Sequence, residues 1–107
     1  MRFDEAMEIY QQARKNDPGF TLPEGDVNRW GYSLRGSGRV AKAVAVLQLN
    51  VLMYPESANA YDSLAEALEA AGDKPAAILN YHKSLSLNEN NQHALARLKE
   101  LETGKVQ

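Results

Sequence analysis

Apolar and small residues recur along this chain at helical spacing. Val27, Trp30, Gly31 and Leu34 form one such run, and Tyr61, Leu64, Ala65 and Leu68 form another with the same steps. That spacing lines one face of a 3.6-residue helix, and no stretch alternates as a half-buried strand would. Prolines at 18, 23, 55 and 75 and glycines at 19, 25, 31, 36, 38, 72 and 104 punctuate the pattern. The predicted fold class is all-α, with about six helices. The first spans residues 4–15 and stops before Pro18-Gly19. The second spans 26–35 and ends at Gly36-Ser37-Gly38, and the third spans 39–54 and stops at Pro55. The fourth runs from Ser57 as N-cap to Ala71, with Gly72 as the turn residue beyond it. The fifth is capped by Asp73, carries Pro75 in its first turn and reaches Leu87. The sixth follows Asn90-Asn91, ends near Glu102 and precedes Gly104.

The chain also matches itself. Sliding it along its own length until Leu34 falls on Leu68 also lays Gly38 on Gly72 and Ala43 on Ala77. Similar residues superpose as well: Val27 on Tyr61, Trp30 on Leu64, Gly31 on Ala65, Val44 on Ile78, Leu47 on Tyr81 and Val51 on Leu85. The matches fall at helix contacts and at the turn between helices. A period of this size signals stacked units, each too apolar on one side to stand alone.

On these residues the chain resembles the tetratricopeptide-repeat family. One unit reads Val27-x2-Trp30-Gly31-x2-Leu34, then Ala43-x3-Leu47, then Pro55; the next reads Tyr61-x2-Leu64-Ala65-x2-Leu68, then Ala77-x3-Tyr81, with Glu89 where the family has Pro. Ala6-x3-Tyr10, Ala13 and Pro18 supply a lone second half, and a short insertion sits around Thr21-Leu22-Pro23. The resemblance implies a single domain over 1–107, a stack of antiparallel helix hairpins: a half repeat at 1–20, repeats at 24–57 and 58–91, and a closing helix at 92–103. The small residues Gly31, Ala65, Ala43 and Ala77 let paired helices approach. Leu34, Leu47, Leu68 and Tyr81 fill the space around those contacts. Tyr10, Trp30, Tyr61 and Tyr81 are read as packing residues.

Composition narrows the function. The chain has 107 residues, 44% hydrophobic and 24% charged, with no cysteine and a net charge of −2. No thiol catalysis or disulfide framework is available. The charge argues against a nucleic-acid binder, which needs a clustered basic surface. No apolar run approaches a membrane span or a signal peptide, which favours a cytoplasmic location. Gly36-Ser37-Gly38-Arg39-Val40-Ala41 matches the loose dinucleotide pattern G-x-G-x-x-A, but no strand precedes it, so it reads as a turn. His82 and His93 lie on different predicted helices with no ligand spacing around them, and read as surface residues. No serine stands in a nucleophile motif. The expectation is no enzyme, no cofactor and no metal.

Two surfaces are candidates for binding. Asp62, Glu66 and Glu69 are spaced i, i+4 and i+7 on the fourth helix and form an acidic stripe. Asn28, Tyr32 and Arg35 repeat that spacing on the second helix, and His93, Arg97 and Glu100 do so on the sixth. The resemblance implies that these stripes line a concave groove that binds an extended peptide. Asn28 and Asn59 would bond its backbone, Tyr32 would supply contact area, and Asp62, Glu66 and Glu69 would select basic side chains. Some relatives clamp a C-terminal carboxylate with Lys and Asn. Here Asn28, Tyr32, Ser63 and His93 depart from that set and only Arg97 agrees.

The second surface is the third helix, apolar nearly all round. Ala45, Val46, Leu49 and Leu52 lie off its packing face. Either the first helix and the segment 20–23 fold over them, or a homodimer or covalent neighbour covers them.

A narrower resemblance concerns Asn28-x2-Gly31-Tyr32, Leu49-Asn50-Val51, the run from Tyr54 to Leu64, and Asn80-Tyr81-x-Lys83-Ser84-Leu85. These are similar to the repeat tail of bacterial serine-β-lactamase-like proteins and α/β-hydrolase esterases, which implies an appendage carrying none of their catalytic residues. The expected function is a noncatalytic protein- or peptide-binding module. The alternative is an assembly element that uses the third helix.

Overall fold

A computed structural model describes residues 3–19 and 21–103, with the side chains of 3–6 and 9 excepted. The described residues form six α-helices: α1 (Phe3–Asn16), α2 (Glu24–Gly36), α3 (Val40–Met53), α4 (Ala58–Ala70), α5 (Lys74–Leu87) and α6 (Gln92–Thr103). Consecutive helices from α2 onward pack against each other, and α2 also touches α4. The result is an elongated all-α stack of 46 × 28 × 19 Å.

Local chemistry explains the boundaries. Ser57 Oγ accepts the Ala60 N–H at 3.1 Å, and Asp73 Oδ1 accepts that of Ala76 at 3.2 Å. Asn91 Oδ1 caps α6 in the same way through the Ala94 N–H, at 3.2 Å. Each cap satisfies a donor that the helix start leaves without a partner. The turns after α2 and α4 are built alike. Gly38 has φ +82° and Gly72 φ +84°. Arg39 N–H donates to Leu34 O at 2.8 Å, and Asp73 N–H to Leu68 O at 2.9 Å, the six-to-one bond of a glycine-terminated helix. The glycine-rich segment 36–41 is therefore a helix stop, and no strand occurs among the described residues.

The core lies on both sides of α3. On one side Leu47 joins Leu64, Ala65, Leu68, Ala77, Tyr81 and the α6 residues Ala94, Leu98 and Leu101. On the other, Ala43 and Val46 join Val27 and Leu34, with Leu22, Trp30 and Met53 packed against them. Tyr10 and Tyr81 are buried, while Trp30 and Tyr61 are half-buried.

The patch expected on α3 needs correction. Val46 is 0% exposed and Leu49 6%, and Ala45 is half-buried. Only Leu52, at 77%, stands out from the surface. Part of the cover comes from the segment before α2. Tyr54 Oη donates to Leu22 O, the Leu22 N–H approaches Met53 Sδ at 3.4 Å, and the Leu22 side chain packs on the α2–α3 core. A helix apolar all round is thus buried on several sides within one chain. Phe20, Gly104 and the side chain of Ala6 lie outside the described residues.

The side of α6 away from this core is polar. Lys99 and Glu102 occupy the places on α6 that Ala65 and Leu68 hold on α4 one repeat earlier, where α4 receives α5. Both are exposed, and His82 of α5 reaches across to Glu102 Oε2 at 3.0 Å.

Candidate functional site

The stack sets α2, α4 and α6 side by side, so their polar stripes form a ladder of cross-helix contacts. Each carboxylate of α4 meets a partner from another helix. Glu66 accepts Tyr32 Oη at 2.6 Å through Oε1 and Arg35 Nη1 at 3.2 Å through Oε2. Tyr32 Oη also lies 3.4 Å from Ser63 Oγ, and the Arg35 guanidinium stacks 4.8 Å above the Tyr32 ring. Glu69 accepts Arg97 Nε at 3.0 Å and Nη2 at 2.5 Å, and also Tyr81 Oη at 2.6 Å. That two-pronged geometry is the strong form of a guanidinium–carboxylate pair. Asp62 faces His93 Nδ1 at 2.8 and 3.0 Å and accepts Asn91 Nδ2 at 3.3 Å. Arg97 also pairs with Glu100 on its own helix.

These contacts shift the titrations. The Arg97 hydrogen bond outweighs partial burial and holds the Glu69 carboxyl below its ordinary range; the same bond raises the Arg97 guanidinium further. Burial, then the Glu69 carboxylate, pushes the Tyr81 phenol far above its ordinary value. Burial and then Glu66 raise Tyr32 in the same sense. Both tyrosines therefore stay neutral donors at physiological pH.

Between the rungs lies an open cleft of about 220 Å³, lined by Arg35, Glu66, Glu69, Tyr81, His93 and Arg97. Its charge is not evenly cancelled. Asp62, Glu66, Glu69 and Glu100 face the guanidiniums of Arg35 and Arg97 and the imidazole of His93, which is charged only when protonated. The surplus is negative, and Asp62 is the α4 carboxylate with no guanidinium on it.

The structure brings Tyr32, Arg35, Asp62, Glu66, Glu69, His93 and Arg97 together on one face. Asn59 is exposed at the start of α4, and the side-chain oxygen of the half-buried Asn28 is itself buried and has no hydrogen-bond partner. Three residues that sequence spacing did not assign to the groove complete it. Tyr81, buried as core, sends its hydroxyl to Glu69. Asn91 caps α6 and touches Asp62. Ser63 lies beside Tyr32. Ser63 and Asn91 stand near stripe residues in sequence, and Ser63 occupies a position of the carboxylate clamp, whereas no local spacing ties Tyr81 to the groove. His93, read as a surface residue on the α6 stripe, lies against Asp62 and close to Glu66, and these three are the described residues grouped well enough to hold a metal ion. His82 instead pairs with Glu102.

No family model matches the chain. It is 42% identical over 66 residues to TPR repeat-containing protein YvcD of Bacillus subtilis (strain 168), a match covering 62% of this chain and 14% of that relative. The chain thus spans about one-seventh of that relative's length. Among solved structures, it superposes on the first TPR of Spaghetti (RPAP3) bound to the HSP90 peptide SRMEEVD. The TM-score there is 0.71 at 21% identity, over 96% of this chain and 79% of that one. MamA gives a TM-score of 0.70 at 25% identity, over 96% of this chain and 58% of that one. The paired helices, the matched glycine turns and these likenesses agree: the described residues have the fold of a tetratricopeptide-repeat stack.

Proposed function

We propose that the domain is a noncatalytic protein-binding module whose concave groove, along α2, α4 and α6, takes an extended peptide. The observation that carries this reading is the alignment of Arg35, Glu66, Glu69, Tyr81, His93 and Arg97 around one open cleft, with Tyr32 bonded to its Glu66 wall. The similar RPAP3 domain carries an HSP90 peptide, which supports a peptide occupant on this architecture. Asn28 and Asn59 bond the peptide backbone, and Tyr32 and Arg97 act as the aromatic and charged anchors that dominate such interfaces.

Asp62, Glu66 and Glu69 select basic side chains, but not equally. A ligand cation must compete with Arg35 at Glu66 and with Arg97 at Glu69. At Asp62 it meets only an imidazole and an amide. Basic selection therefore centres on Asp62. The groove is short, so affinity falls in the micromolar range, about −8 kcal/mol.

Panning a displayed library of random peptides against the domain tests this. Enriched peptides carrying a basic residue, with binding lost in Tyr32→Ala and weakened in Asp62→Asn, are the expected result. Enriched peptides that bind both variants as well as the parent would reject the groove.

A further inference from the structure

We propose that Asp62, Glu66 and His93 form a binding site for a divalent transition-metal ion of the zinc and nickel type, bridging α4 and α6. Asp62 and Glu66 stand at i and i+4 on one helix, so their carboxylates share a face. His93 enters from the second position of α6 and directs Nδ1 at Asp62. One ligand atom from each of the three lies within 4.8 Å of the others.

The donor set chooses the ion. One imidazole nitrogen with two carboxylate oxygens suits zinc, nickel or copper, whereas magnesium and calcium favour oxygen alone. Bonds of about 2.0–2.2 Å require the three side chains to spread around a common centre. His93, with 45% of its side chain exposed, is free to make that adjustment, while Asp62 (13%) and Glu66 (24%) are more firmly held. Asn91 Nδ2 holds one Asp62 oxygen and Tyr32 Oη holds Oε1 of Glu66. Such outer hydrogen bonds orient metal ligands and leave lone pairs for the ion.

Charge gives an independent reason. Asp62 and Glu66 together face a single fixed cation, Arg35, which is 3.2 Å from Glu66 Oε2. A dication at Asp62 would meet the surplus negative charge where no guanidinium does. Arg35 opposes the ion, so its removal strengthens binding. The site needs no peptide, and it stands or falls separately from the groove reading.

The test is calorimetric titration of the chelator-treated full chain with zinc sulfate and nickel chloride. One ion per chain is expected, with a rise in thermal midpoint. His93→Gln and Asp62→Asn should each weaken binding by about tenfold or more, and Arg35→Gln should tighten it. His82→Gln, which alters the other imidazole, should leave it unchanged. The copper-loaded chain should show one nitrogen ligand by electron paramagnetic resonance, absent in His93→Gln. Circular dichroism checks that each variant is folded. No binding at millimolar zinc, equal binding by His93→Gln, an equal loss in His82→Gln, or equal competition by magnesium would each overturn the proposal.

Discussion

Gly31 on α2 lies so close to Leu47 on α3 that a β-carbon on the glycine would stand 2.6 Å from both Cγ and Cδ2 of the leucine. Leu47 is 1% exposed and belongs to the main core cluster, so its side chain has little room to retreat. The equivalent pair in the next repeat is Ala65 and Tyr81, both fully buried, where a methyl group is accommodated. Gly31→Ala should therefore destabilise the fold despite alanine's better helix propensity. Overpacking costs about 1–3 kcal/mol, and the propensity gain offsets about 1. In urea denaturation, Gly31→Ala combined with Leu47→Ala should cost less than the sum of the two single changes. Additive costs would mean that the two side chains do not compete for one space.

The pair of Arg97 and Glu69 sets the acid limit. Glu69 has its pKa lowered in the folded state, chiefly by the Arg97 hydrogen bond. Its contribution is present above the unfolded value near 4.5 and fades as pH falls through the lower folded value. Thermal midpoints taken from pH 7 to pH 3 should fall more gently for Glu69→Gln than for the parent. Both partners remain about one-fifth to one-quarter exposed, so the effect is moderated by solvent. Equal slopes would show that the pair does not couple to folding.

The alkaline limit comes from the tyrosines. Tyr81, and less strongly Tyr32, have phenol pKa values raised above 10 by burial and by a neighbouring carboxylate. Their stabilisation is complete below about pH 10 and is lost as pH rises beyond it, because ionisation places a phenolate beside Glu69 or Glu66. Tyr81→Phe should lose about 1.5–3 kcal/mol at pH 7 with the hydrogen bond to a charged acceptor. It should also show a shallower decline between pH 10 and 12. A parallel decline in parent and variant would reject the assignment.

Asn50 carries an unused stabilising change. It is fully buried on α3, and neither its side-chain oxygen nor its nitrogen has a hydrogen-bond partner. Ser84, its counterpart in the next repeat, donates to Ala58 O at 2.7 Å and accepts Asn91 Nδ2 at 2.9 Å. Replacing Asn50 with leucine, which keeps the same branched skeleton but is bulkier, removes two buried polar groups without partners. It should raise the unfolding free energy in urea by about 1–3 kcal/mol. A loss of stability would show that the site uses its amide.

The residues alone determined the helices, their caps and their turns. Those features depend on neighbours within a few positions: a serine or aspartate just ahead of the N–H it accepts, a glycine where φ turns positive, a proline where a helix cannot continue. The recurrence of Gly38 as Gly72 carried this local information into the stacked architecture. The tertiary structure alone decided how charges and surfaces are used. Asp62, Glu66 and Glu69 read as an open acidic stripe, yet Tyr32 and Arg35 from α2, Tyr81 from α5, and His93 and Arg97 from α6 all fold onto them. For Leu49 and Val46 the sequence left cover by the chain itself and cover by a partner both open, and the fold buries them within the chain. His93 read as a surface residue of the groove stripe, and the stack sets it against Asp62 and close to Glu66. A periodic pattern shows which side of a helix faces inward. Which residue arrives opposite it from another helix depends on the stacking geometry, and no local spacing encodes that distance.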